Sequence, residues 1–96
     1  MISLIQIRGI LEQLKPELEK KYHVSSIGIF GSAARNELTE KSDIDIIVDF
    51  NQPVGISFID LAEFLEKKVN RSVDLVSRKG IKPQYFASIK NEIIYV

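Results

Sequence analysis

Residues 27–50 read IGIFGSAARNELTEKSDIDIIVDF, and this stretch decides how the rest of the chain is arranged. An apolar strand runs into Gly31-Ser32, a short polar connection follows, and a second apolar strand carries Asp43 and Asp45. Side chains two positions apart on a strand point to the same face, so both carboxylates sit together at the edge of a buried sheet. Two carboxylates about 4 Å apart repel by roughly 4 kcal/mol at an effective dielectric near 20. Packing gains nothing from that placement, which implies a cation, a shared proton or wide access to solvent. A cation is the working reading.

Outward from this stretch, each flank has a clear periodicity. On the N-terminal side, Leu4, Ile7, Leu11, Leu14, Leu18 and Tyr22 recur at three- and four-residue spacing, the mark of an amphipathic helix. Ser3 followed by Gln6 reads as a capping box, placing the helix start near Leu4. Pro16 is expected to break the helix near Lys15 and to open a second short helix ending about Lys21. His23, the single histidine, falls in the helix-to-strand connection as a loop residue. Ser25 to Phe30 is a short isoleucine-rich strand in which Gly28 leaves one face without a side chain.

Gly31-Ser32 before Ala33-Ala34-Arg35 reads as a sharp turn into a short helix. Glycine permits close backbone approach, and unpaired amides at a helix start favour an anion, phosphate above all. Such pairs are also ordinary turn-and-cap chemistry. Asn36 to Ser42 is a polar connection. In the following strand, Ile44, Ile46 and Val48 share one face, with Asp43, Asp45, Ile47 and Asp49 on the other. Asn51 to Gly55 is a turn. Ser57 with Asp60 resembles a helix start, Phe58, Leu61, Ala62, Leu65 and Val69 form its apolar stripe, and Asn70 ends it. Val73-Asp74-Leu75-Val76 is a short strand whose lone carboxylate either joins Asp43 and Asp45 or faces solvent. A basic turn, Arg78 to Pro83, leads to a last helix marked by Tyr85, Phe86, Ile89 and Ile93, and then to an apolar Ile94-Tyr95-Val96 end. Strands and helices interleave, so the expected class is α/β (α+β), a small mixed β-sheet flanked by helices.

Composition narrows the function. The 96 residues are expected to form one domain, 1–96. With 13 basic and 13 acidic residues the formal net charge is zero, so no global field draws in nucleic acid or an anionic membrane. Cysteine is absent, which excludes disulfides, thiolate metal sites and thiol nucleophiles. The N-terminal segment lacks the apolar core of a signal sequence, and a cytoplasmic location is the default expectation.

Gly31-Ser32, ten intervening residues and Asp43-x-Asp45 resemble the motif of the polymerase-beta-like nucleotidyltransferase superfamily. The fuller runs Phe30 to Arg35 and Ser42 to Val48 are similar to its minimal nucleotidyltransferase branch, with Asp74 where that branch carries a third carboxylate. One departure is Asn36, where the branch often has glycine before Glu37; asparagine tolerates a left-handed backbone, so the loop should form. The resemblance implies a nucleotidyltransferase fold in which Asp43 and Asp45 hold two divalent cations, Mg2+ being the hard ion suited to carboxylate and phosphate oxygens. One ion would neutralise the triphosphate of ATP, and the other would lower the pKa of the attacking hydroxyl. Asp74 would complete the second metal site or take the hydroxyl proton. Gly31 and Ser32 would hold the terminal phosphates, with Arg35 and Ser42 as further nucleotide contacts. Arg35, Lys41, Arg78, Lys79 and Lys82 are candidate phosphate or partner contacts, although such residues are more often solvated surface charges.

Larger members of the superfamily carry a second, acceptor-binding domain, for which these residues leave no room, so the acceptor is expected on another molecule. The resemblance implies an antitoxin that assembles with a helical HEPN-type ribonuclease toxin and silences it by transferring AMP to a toxin tyrosine. Two other readings remain at this point: a non-catalytic antitoxin that occludes its partner, and an enzyme that modifies a small molecule.

Overall fold

A computed structural model describes residues 2–96. Its elements are α1 (Leu4–Tyr22), β1 (Val24–Phe30), α2 (Gly31–Ala34), β2 (Ile44–Phe50), α3 (Ser57–Val69), β3 (Val73–Ser77), α4 (Pro83–Ile89) and β4 (Ile94–Tyr95). The strands form one mixed sheet in the order β3-β2-β1-β4. β2 runs antiparallel to β1 and parallel to β3, and β1 pairs antiparallel with β4. The expected mixed sheet flanked by helices is therefore present. No helix among the described residues is long and apolar enough to cross a membrane.

Residue alternation in β2 divides the sheet into two unlike faces. Ile44, Ile46 and Val48 join Ile7, Leu11 and Leu18 of α1 and Leu61, Leu65 and Val69 of α3 in the main core. Full burial of each such side chain stabilises the fold by about 1.5–3 kcal/mol. Ile47 points the other way, into a small cluster with Phe30 and Ile89, and Val76, Ile81, Phe86 and Ile93 pack around it. The second face is thus covered only by short α4 and the segment after it, and the end that α4 leaves uncovered is where the acidic residues lie.

The capping box at the start of α1 forms as expected: Ser3 Oγ accepts from the Gln6 amide, and Gln6 Oε1 accepts from the Ser3 amide at 2.8 Å. The expected break at Pro16 does not occur, and α1 continues as one helix through Tyr22. Pro16 and Glu12, whose carbonyl loses its partner, both lie on the exposed side. Leu18 and Tyr22 in the last turns are buried in the same core as Ile7 and Leu11, so packing on both sides of Pro16 outweighs the lost bond. His23 caps the helix in the left-handed conformation with φ 60°.

Two further boundaries differ from expectation. Ser57 is the first residue of α3 and not its cap, because Ile56 precedes it in helical conformation; Asn70, left-handed, ends the helix as expected. α4 stops at Ile89, and Ile93 lies outside it. Ile93 is spent instead on the second face, where a Cβ on Gly28 would stand 2.6 Å from Ile93 Cγ2 and 3.2 Å from the Tyr95 ring. Gly28 thereby lets the C-terminal segment seat against β1.

Replacing Pro16 with alanine restores the missing helix bond on an exposed face. The Pro16→Ala protein is expected to be more stable by about 1–2 kcal/mol in urea unfolding, the gain being reduced by the freer unfolded chain. Loss of stability would mean that the helix does not continue through this position.

Candidate active site

Three strand ends meet at one edge of the sheet. β1 finishes at Phe30, whose register partner in β2 is Asp45, and Asp45 is in turn the register partner of Asp74 in β3. Asp45 and Asp74 are therefore neighbours on adjacent strands, on the sparsely covered face. Asp43 stands exposed just before β2. Of the two readings left open for Asp74, the register supports the one that joins it to the other acids, although its side chain is also exposed.

The Gly31 turn closes on the same point. Gly31 has φ +67°, a left-handed backbone that disfavours any side chain, and a Cβ there would run into the Asp45 carboxylate. Glycine is thus required twice, for the turn and for the space that Asp45 occupies. Ser32 and Ala33 follow at the start of α2. The polar connection is held by Asn36, which takes the left-handed conformation with φ 56° and accepts from the Leu4 amide through Oδ1 at 3.1 Å. The substitution of Asn36 for glycine thereby also ties the loop to the start of α1.

Arg71, between α3 and β3, carries no local sequence signal of a site role, yet it donates through Nη2 to the carbonyls of Thr39 at 2.5 Å and Ser42 at 2.6 Å. The Ile44 amide donates to the Ser72 carbonyl at 2.9 Å. Together they lock the approach to Asp43 against the approach to Asp74. Ser42 keeps its hydroxyl inside its own loop, accepting from the Thr39 amide at 3.1 Å and meeting Thr39 Oγ1 at 2.9 Å.

Glu92 is the other residue that sequence reading missed. It is 61 positions from Gly31, yet its Oε1 accepts from the Gly31 amide at 3.0 Å and its Oε2 accepts from Arg35 Nη1 at 3.0 Å. Arg35 also donates from Nε to Glu37 at 2.7 Å. One carboxylate thus bridges the turn amide and the guanidinium with charge-assisted hydrogen bonds. No local signal marks Glu92, since only the docking of the C-terminal segment brings it here.

The electrostatics follow from this crowding. Burial, then the charges of Asp74 and Asp43, hydrogen bonding with Asp74 and the charge of Glu92 push the Asp45 carboxyl up from the ordinary 3.8 to about 6. The Tyr85 hydroxyl on α4 is also pushed up, by burial and by the charges of Asp45, Asp74 and Glu92. Among the described residues, no three acidic or histidine side chains are already closed into a metal cage. The donor set nevertheless fits a hard cation: it is made of carboxylate oxygens, and their mutual repulsion is what a bound cation would relieve.

A family model for the nucleotidyltransferase domain matches residues 11–96. The chain belongs to the nucleotidyltransferase domain family. Protein adenylyltransferase MntA of Thermococcus cleftensis is 40% identical to this nucleotidyltransferase, with 100% of this chain and 98% of the relative covered. A Methanocaldococcus jannaschii relative is 46% identical over 98 residues with both chains covered in full. Among solved structures, a minimal nucleotidyltransferase superposes with a TM-score of 0.82 at 29% identity, covering 97% of this chain and 95% of its own. The MntA–HpeT toxin–antitoxin structure shares the fold, with a TM-score of 0.71 at 20% identity over 93% of this chain and 70% of that one.

The raised Asp45 pKa has a direct consequence for the metal-free protein. The folded state holds this proton more tightly than the unfolded chain, so the contribution of Asp45 to stability is full below pH 3.8, falls as pH rises to about 6 and stays low above. Asp45→Asn is expected to remove that loss. In chelator at pH 7.5 the variant should be more stable than the parent by about 1 kcal/mol after allowance for solvent screening, and the difference should shrink toward pH 4. Thermal unfolding at both pH values measures it; a variant less stable at pH 7.5 would contradict the crowding described here.

Proposed function

We propose that this nucleotidyltransferase is an antitoxin that transfers AMP from ATP, with Mg2+, to a tyrosine of a HEPN-type toxin and so neutralises it. The observation that carries the reading is the alignment of Asp45 with Asp74 beside the Gly31 turn. This acidic row beside the turn supports the reading, as does the 40% identity of the chain along its whole length to a protein adenylyltransferase. The fold is shared with a chain of the MntA–HpeT toxin–antitoxin structure.

Each residue then has a task. Gly31 and Ser32 hold the terminal phosphates, and Arg35 supplies the cationic side of that seat. Asp43 and Asp45 hold the divalent ions, with Asp74 completing the set. The bound cations would neutralise the triphosphate and make the acceptor hydroxyl more acidic. Holding ATP between the turn and the acids aligns the α-phosphorus for attack, which makes the reaction effectively unimolecular. The acceptor oxygen bonds to the α-phosphorus, the bond to the bridging oxygen of the β-phosphate breaks, pyrophosphate departs and the hydroxyl proton passes to a carboxylate, Asp74 being the candidate, and on to water.

Intact mass spectrometry of the purified toxin partner tests this. After incubation with this protein, ATP and Mg2+, the toxin should gain one or more AMP groups on tyrosine, and Asp45→Asn should slow the gain by roughly 100-fold or more. An unchanged toxin mass, with cells still protected when Asp43 and Asp45 are both changed to Asn, would replace catalysis with simple occlusion.

A further inference from the structure

Tyr85 is an aromatic side chain near the acidic row whose hydroxyl packing does not explain. It sits early in α4, the element that covers part of the acidic face. Its ring meets Phe30 edge-on, with centroids 6.3 Å apart and planes at 82°. Phe30 immediately precedes Gly31 and is the register partner of Asp45, which pairs with Asp74. The Tyr85 ring therefore stands at the head of the row Phe30–Asp45–Asp74. It is 45% exposed, and its hydroxyl has no hydrogen-bond partner among the described residues. Apolar contact with Phe30 would be served as well by phenylalanine, so packing does not account for the hydroxyl.

Two uses suit an exposed aromatic beside a nucleotide. As a stacking platform for the base it needs only its ring face. In a nucleoside triphosphate, however, the sugar and the α-phosphate separate the base from the acids that act on phosphorus. The Tyr85 ring packs on Phe30, the residue before the Gly31 turn and the register partner of Asp45, which puts it at the end of the site where the turn and the acids meet. An acceptor hydroxyl has to approach from there, because the carboxylates must receive its proton.

We infer that Tyr85 is an acceptor within the protein's own site, so that the chain adenylylates itself on the Tyr85 hydroxyl when no partner hydroxyl is present. This rests on the nucleotidyl-transfer reading above and extends it to a modification site. Tyr85 Oη bonds to the α-phosphorus of ATP, the α–β bridging bond breaks, pyrophosphate leaves with the electron pair, and the phenolic proton passes to Asp74 and then to water. Attachment to α4 keeps the hydroxyl at a high effective concentration. The product, a tyrosyl-AMP ester, would lie over the acids and close the site to a partner.

Intact mass and peptide mapping of the purified protein, incubated alone with ATP and Mg2+, test the inference, with the toxin incubated in parallel. One AMP on Tyr85 is expected, and none on the Tyr85→Phe variant. Tyr95, with 52% exposure, is the internal control for exposure alone and should be labelled at least about tenfold less. If this protein gains no AMP, or if the label falls on Tyr95 or persists in Tyr85→Phe, the inference fails, and the proposed function stands provided the toxin gains AMP. If neither protein is modified, both fail.

Discussion

The structure depends on one close approach, that of the Asp45 carboxylate to the backbone of Gly31. Asp45 can lie flat against β1 only because residue 31 has no side chain and a left-handed backbone. That contact brings the turn and the acidic row to one point. It also places a carboxyl where burial and three other acids hold its pKa up at about 6. A fold selected for stability alone would relieve this crowding, since an apolar residue at the same place costs nothing in repulsion. This crowding is of the kind that a bound cation would relieve.

The rest of the architecture serves that edge. The main core, built by α1 and α3 on one face of the sheet, makes β1 and β2 rigid without needing the other face. The second face carries only a small cluster around Phe30, Ile47 and Ile89, which leaves its acidic end open to a ligand. The supports of the site come from distant parts of the chain: Arg71 anchors the loop before Asp43, Asn36 links the same loop to α1, and Glu92 holds Gly31 and Arg35 from the C-terminal segment. Glu92 accepts from both the Gly31 amide and Arg35, so the C-terminal segment and the turn are physically coupled.

What the sequence made legible was whatever depends on local periodicity or fixed spacing. Ser3 with Gln6, the two faces of β2 and Asn70 as a helix stop follow from rules that act over a few residues, whereas the pairing of Gly31-Ser32 with Asp43-x-Asp45 is what the family resemblance implies. Pro16 was misread because its local preference to break a helix was overridden by burial of Leu18 and Tyr22 in the core already formed by Ile7 and Leu11. The end of α4 was misread because Ile93 fits a helical stripe equally well, and its place was decided by the space left at Gly28. Glu92, Arg71 and the position of Tyr85 were not legible, since each matters only through a partner many residues away. Asp74 lies between these cases. Its strand was readable, but its alignment with Asp45 follows from parallel register, which spacing alone does not specify.

The most direct test of a nucleotidyl-transfer site at this sheet edge is anomalous diffraction from crystals grown with Mn2+ and an ATP analogue that cannot be cleaved between the α- and β-phosphates. Manganese peaks about 2.1 Å from carboxylate oxygens of Asp43 and Asp45 are expected, with the triphosphate lying over Gly31 and Ser32. Manganese bound away from these carboxylates, or a triphosphate seated elsewhere on the molecule, would contradict it.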